Sequence, residues 1–140
     1  MTAAFADQLQ ARIRAVVKDD WAYILDSWKK SYRDSEKRVP AHIYWANQHT
    51  EIEQLKQRGA EFLIACDPDD SNFIWGYICH EGDVVHYIFV RTSARGQGVA
   101  KLLLTGIARP VVCTHWTESA EQVHKTHPGV LLYEPSRRRK

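Results

Sequence analysis

The sequence contains no apolar run approaching the ~20 residues needed to cross a bilayer, and no apolar leader-like segment near its start. These absences argue against a membrane-spanning or exported protein. It has only three cysteines, Cys66, Cys79 and Cys113; their odd count and wide spacing exclude a disulfide framework. The expectation is a cytoplasmic protein with reduced thiols. No internal repeat or low-complexity block is present, so neither a solenoid nor a flexible array fits. An excess of one charge is also missing from the chain as a whole, whose formal net charge is +2. The halves differ, however. Residues 1–70 carry 10 Lys/Arg against 12 Asp/Glu, and residues 71–140 carry 9 against 5, so the second half is where an anionic ligand is expected.

What is present fits one compact α/β domain over residues 1–140, with 1–10 expected to fray and 136–140 forming a basic tail. Five Trp, six Tyr and four Phe give a heavy aromatic load, enough for a core with some left to line a groove. ARIRAVV (11–17) alternates as a short strand. In KDDWAYILDSWKKSYRD, Trp21, Ile24, Leu25, Trp28 and Tyr32 share a helical face, with Asp19 or Asp20 placed to cap its start. After Pro40 a second helix runs to Gly59. AEFLIACDP reads as a strand, DPDDSN as a polar turn, and FIWGYICHE (73–81) and VVHYIFV (84–90) as an antiparallel hairpin across Gly82-Asp83. GVAKLLLTGIA reads as a helix, VVCTHWT as a strand, SAEQVHKTH as one or two helical turns and VLLY as a last strand. The order β-α-α-β-β-β-α-β-(α)-β predicts a mixed, mostly antiparallel sheet with helices on both faces.

The junction VVHYIFVRTSARGQGVAKLLL (84–104) is the most informative stretch. A strand that turns through Gly96 and Gly98 into a helix gathers free N–H groups at one point, which suits a phosphate. Arg95 and Lys101 add cationic side chains. The stretch is not a Walker loop, which needs G-x-x-x-x-G-K-[ST], and Lys101 stands where a dinucleotide fingerprint needs its third glycine. It resembles motif A of the GNAT superfamily of N-acetyltransferases, [QR]-x-x-G-x-[GA], with Arg95, Gly98 and Ala100 on the fixed positions and Val90 at the strand end. The element order over residues 11–117, about three-quarters of the chain, is similar too. The opening WAYILDSWKKSYRD…VPAHIYW is similar to short GNAT-like proteins of phages and prophages.

That resemblance implies a shortened GNAT-like domain that binds acetyl-CoA, or another acyl-CoA, and transfers the acyl group to a primary amine by direct attack. It implies that Arg95, Gly96, Gln97, Gly98, Val99, Ala100 and Lys101 hold the pyrophosphate. It also implies that the strand carrying Ile88, Phe89 and Val90 splays from its neighbour, Ile88 and Val90 pairing their backbones with the pantetheine arm. Attack on a thioester needs an amine that has lost a proton, and histidine is the side chain whose ordinary pKa suits that task. His86 is a candidate base, since residues 84, 86, 88 and 90 of a regular strand share a face; His115 is the other. The usual thiolate acid of the family is a Tyr on the helix after the fifth strand. This chain has none there, which leaves Tyr133 to fill that role from a changed geometry.

Trp28 and Tyr32 are candidate acceptor contacts, because the segment joining the first two helices shapes the acceptor groove in the family. Cys113, His115, His124 and His127 offer zinc-type ligands, but their spacing matches no zinc pattern and no metal is expected. SRRRK is a basic tail able to touch polyanions, which keeps nucleic acid open as a partner. A homodimer also stays open. Two rival readings remain at this point: a GNAT-like binding module without turnover, and a nucleic-acid-binding or nucleic-acid-modifying protein.

Overall fold

The computed structural model describes residues 11–138. The chain runs β1 (Arg12–Ala15), α1 (Trp21–Tyr32), α2 (Ala41–Gln57), β2 (Glu61–Asp67), β3 (Asp70–Glu81), β4 (Val84–Val90), α3 (Val99–Leu103), β5 (Val111–Cys113), α4 (Glu118–Thr126) and β6 (Leu131–Tyr133). All six strands form one sheet whose spatial order is the chain order, β1 to β6. The first three pairings are antiparallel and the last two, β4–β5 and β5–β6, are parallel. The result is a mixed, mostly antiparallel sheet with helices on both faces, as the element order predicts.

Period-two alternation sorts the strands between two cores. Phe62, Ile64, Tyr77, Cys79 and Tyr87 face α1 and α2, where they meet Ile24, Trp28, Tyr44, Ile52 and Leu55. Ala65, Ile78, Val85, Ile88 and Val90 face α3 and α4, where they meet Val99, Leu103, Ala120 and Leu131. The first core is aromatic: Trp28 stacks on Tyr87 with ring centroids 4.0 Å apart and planes 10° off parallel. Its indole N–H donates to Gln48 Oε1 at 3.0 Å, so the buried ring leaves no polar atom unmatched. Trp28 and Tyr32, expected at an acceptor groove, are therefore core residues, 0% and 3% exposed. The helical face they share is the one that packs on the sheet.

Several boundaries move. The polar turn after β2 shrinks because β3 begins at Asp70. Asp20 does not cap α1; its carboxylate accepts from Val17 N–H at 2.8 Å and pairs with Arg14, tying β1 to the helix start. The helix expected over 98–108 ends at Leu103. Tighter turns follow, Thr105 N–H to Leu102 O and Ile107 N–H to Leu104 O, and Gly106 at φ +89° turns the chain away from the helical path. β5 is three residues long rather than seven, because only Val112 and Cys113 pair with β4, at Val84 and Val85. The basic tail is partly docked: Pro135–Arg138 form a single 3-10 turn, and the Arg138 guanidinium donates to Thr114 O at 2.9 Å and to Tyr32 Oη at 2.8 Å. Residues 1–10 and 139–140 lie outside the described chain. Among the described residues no helix is long and apolar enough to cross a membrane.

Candidate functional site

The separation of β4 from β5 creates the site. Beyond Val85 the two strands part, and the edge of β4 turned toward β5 meets side-chain hydroxyls instead of a ladder. Thr117 Oγ1 donates to Ile88 O at 2.8 Å, and Ser119 Oγ accepts from Val90 N–H at 3.0 Å. The Ile88 N–H points to the same edge as its carbonyl, with no loop or side-chain acceptor among the described residues. Thr117 is also the cap of α4, accepting from Ala120 N–H at 3.0 Å. Two of the backbone groups expected to meet a pantetheine arm, Ile88 C=O and Val90 N–H, thus already have partners.

At the end of β4 the chain passes through one 3-10 turn and the loop Arg95-Gly96-Gln97-Gly98 into α3. Gly96 and Gly98 have φ of +77° and +85°, a region open to glycine at little cost. No backbone N–H from Gly96 through Lys101 has a hydrogen-bond partner among the described residues. A Cβ built on either glycine meets nothing within 4 Å, so the space over the loop is open. These amides border a cleft of ≈ 300 Å³ between the loop and α4. Val90, Val99, Leu104, Val123 and Val130 give it an apolar wall, and Lys101, Arg109 and His127 lie on its lining. The donor set suits a phosphate-bearing ligand with an apolar arm. Sequence reading found the loop but not Arg109, Gln122 or His127, which come from segments with no phosphate signature. Arg95 is less free than expected: its Nε donates to Val90 O at 2.9 Å and its Nη1 pairs with Glu118.

A second cleft, ≈ 400 Å³, opens on the other face of the sheet between α1 and the end of β4. Asp26, Ser27, Lys30, Ser31 and Asp34 of α1 and its following turn line one side, and Phe89, Thr92, Thr117 and Ser119 line the other. The two clefts share Arg95 and Ser119 as lining residues, beside the end of β4 where it has parted from β5.

His86 and His115 line neither cleft. Cys79 pairs with Tyr87 and His80 with Val85, so His86 is an extra residue, a β-bulge. The bulge breaks the expected alternation: Val85, Ile88 and Val90 share a core, and His86 points elsewhere. Its Nε2 lies 2.7 Å from Glu81 Oε1 and its Nδ1 3.0 Å from Thr114 Oγ1. His115 lies beyond β5 among Trp28, Tyr32 and Tyr87, with Nδ1 2.9 Å from the same threonine oxygen. Its Nε2 is 2.9 Å from Glu51 Oε2 but off the line of a hydrogen bond. The result is a chain, Glu81–His86–Thr114–His115–Glu51, buried at its three central members and half-buried at its two carboxylates.

Proton counting assigns it. Hydrogen bonds from Arg58, then from His86, hold the Glu81 carboxyl down at about 2, so it is an ionised acceptor for the hydrogen bond that His86 Nε2–H donates. Burial pushes His86 below its ordinary range, which keeps the ring neutral with Nδ1 as an acceptor. The Thr114 hydroxyl has one proton and two acceptors in reach, His86 Nδ1 at 3.0 Å and the His86 carbonyl at 3.3 Å; donating it to the nearer leaves its oxygen to accept from His115 Nδ1–H. Burial raises the Glu51 carboxyl, but contact with His115 and the nearby charges of His115 and Arg138 outweigh it and leave the group below the usual range. Glu81, at the end of β3 beside the hairpin turn, is an anchor of this chain. Tyr133 lies on β6 at the sheet edge, 48% exposed and packed near Trp116, away from both clefts.

No protein-family model matches the chain, and no curated protein matches it. Among solved structures it is similar to a GNAT-superfamily phosphinothricin acetyltransferase from Sinorhizobium meliloti in complex with acetyl-CoA, at 23% identity and TM-score 0.48 over 70% of this chain. It is also similar to a ribosomal-protein-alanine N-acetyltransferase from Brucella melitensis, at 19% identity and TM-score 0.47 over 69% of this chain. The chain spans 57% and 64% of the length of these two. A transcriptional regulator from Bacillus halodurans is similar at 17% identity and TM-score 0.43, with 88% of this chain and 79% of that one covered.

Proposed function

We propose that the chain binds an acyl-CoA, acetyl-CoA in the first instance, and transfers its acyl group to a primary amine. One observation carries this reading: six consecutive backbone amides, Gly96 to Lys101, stand unpaired among the described residues at the mouth of a cleft below the end of a splayed strand. A pyrophosphate satisfies such amides directly, and Lys101 and Arg109 offset its charge. The apolar wall of Val90, Val99 and Val123 takes the arm that follows. The bound ligand supplies an acyl group activated as a thioester. Ile88 N–H, facing the gap, is placed to polarise a carbonyl there. The amine enters from the α1 cleft, and its ammonium proton passes to water in that open groove. His86 and His115 hold the bulge and the strand separation; their distance from both linings supports a positioning role.

Calorimetric titration with acetyl-CoA tests the reading, with dephospho-CoA and ATP as controls. Binding of acetyl-CoA with an affinity near ~1 μM, about 8 kcal/mol, is expected. No heat and no thermal shift would remove the assignment. Gly98→Glu should abolish binding, because it forces a side chain into the left-handed region and brings a negative charge to the amides; an unchanged affinity would show that the loop is not the cradle. A second reading, a CoA-holding module without turnover, is favoured by the hydroxyls of Thr117 and Ser119 already occupying the edge of β4. Tight CoA binding with no transfer to any amine of a broad panel would select it.

A further inference from the structure

If acyl transfer joins the two clefts, as the reading above has it, the reacting atoms meet where the clefts meet. Two residues line both: Arg95 and Ser119. Arg95 is committed to Val90 O and to Glu118. Ser119 is 4% exposed, sits in the first turn of α4, and accepts from Val90 N–H through Oγ. Its own O–H proton has no acceptor among the described residues. It is therefore a buried donor with a free proton on the lining of both clefts.

We propose that Ser119 is a catalytic residue whose hydroxyl donates a hydrogen bond to the thioester sulfur as the carbon–sulfur bond breaks. In that step the lone pair of the neutral amine forms the carbon–nitrogen bond. The carbon–sulfur electron pair goes to sulfur, and the proton on the new amide nitrogen goes to water. Sulfur leaves as a thiolate and takes its proton from solvent after release. A thiol titrates near ~8.5, so its thiolate is a competent leaving group that needs a donor to share its charge and no full proton transfer. That is within reach of a serine, whose proton is otherwise held too tightly for acid catalysis. The surroundings sharpen the donor. Val90 N–H withdraws density from Oγ, and the N-terminal end of α4 favours negative charge beside its first turn. Thr117, capping the same helix and bonded to Ile88 O, fixes that turn against β4. This places the donor on the helix where the sequence lacks a tyrosine.

The test needs no acceptor. The ultraviolet absorbance of the thiolate in the protein–CoA complex is followed across pH for wild type, Ser119→Ala and Ser119→Thr. The bound thiol is expected to ionise below free CoA in the wild type. Ser119→Ala should raise that midpoint by about one to two pH units, as loss of one hydrogen bond to a charged group implies. Ser119→Thr should recover most of the shift. With an acceptor in hand, Ser119→Ala should lower kcat by about 10- to 100-fold while KM for acetyl-CoA stays within about twofold. A wild-type complex whose thiol titrates like free CoA would overturn the assignment even if Ser119→Ala failed to fold. So would an Ala variant with unchanged ionisation and rate, and in both cases the reading of the cleft would survive. Absence of CoA binding altogether would remove both.

Discussion

Replacing Thr114 by Val tests the buried histidine chain directly. The substitution keeps the branched shape and the volume, so it opens little cavity, but it removes the one hydroxyl between two ring nitrogens. His86 Nδ1 loses its donor at 3.0 Å and His115 Nδ1–H loses its acceptor at 2.9 Å. Both rings are 1% exposed and water cannot replace the lost partner. Each orphaned group costs about 1–3 kcal/mol, and the two together about 2–4 kcal/mol once partial relaxation is allowed. Against a typical stability of about 5–15 kcal/mol this is a large loss. For a chain of 140 residues the unfolding entropy is about 0.3 kcal/mol/K, so the midpoint of thermal unfolding should fall by about 7–14 °C. Calorimetry of wild type, Thr114→Val and Thr114→Ser measures it. The Ser variant keeps the hydroxyl and should recover most of the loss. A Val variant within about 2 °C of wild type, or a Ser variant as damaged as Val, would refute the bridging role and with it the proton assignment.

Three further outcomes are expected. His86 is held below its ordinary range and Glu81 down at about 2, so in each case the unfolded chain binds the proton more readily. Stability is then fully present above about pH 6.5, declines as the pH falls through the unfolded histidine range, and declines again below about 4.5 toward 2; urea midpoints that stay flat from pH 7 to 3 would contradict both shifts. Gly76→Ala places a Cβ on the Phe89 carbonyl oxygen and 3.2 Å from Val90 Cα, so it should destabilise by about 1–3 kcal/mol and weaken CoA binding by shifting the strand that feeds the loop. Equal stability and affinity would show that β3 and β4 yield more easily than their packing implies. Arg138→Ala removes the contacts to Thr114 O and Tyr32 Oη and should cost about 1–3 kcal/mol; a loss below about 0.3 kcal/mol would return the C-terminal segment to the status of a solvated tail.

The parts of the fold legible in the sequence were those encoded within a few residues. The hairpin across Gly82-Asp83, the second helix ending at Gly59 and the glycine loop after β4 follow from local periodicity and turn chemistry. The bulge at His86 does not, because it depends on how β3 and β4 register, and one skipped residue reverses which face every later side chain meets. The amphipathic pattern of α1 correctly joins Trp28 and Tyr32 on one face but does not tell a core face from a groove face. Ser31 and Asp34, on the neighbouring stripe, line the cleft instead. Arg138 reaches Tyr32 across 106 positions of sequence, beyond any local signal. Arg95 carried the motif, yet its pairing with Glu118, 23 positions on, emerges only when α4 docks beside the loop.

The sheet's spatial order, identical to its chain order, bears on how the molecule is made. Each strand needs to find only its immediate predecessor, so a chain emerging from the ribosome can extend the sheet one strand at a time without leaving a slot to be filled later. The exception is the join between β4 and β5, held by two residue pairs. Everything before it pairs antiparallel, while the segment after it has only that two-pair ladder to the preceding sheet and is otherwise held by side chains: the hydroxyls of Thr114, Thr117 and Ser119, the core packing of Val111, Cys113, Ala120 and Leu131, and Arg138 on Tyr32. The segment from Val111 to Arg138 has the least backbone pairing to the rest of the sheet, so its amide protons should exchange ahead of those in β2 and β3. A ligand bridging the loop and α4 would fasten this segment to the rest of the sheet, so occupancy of the cleft should slow amide exchange there and raise the stability of the fold with ligand concentration.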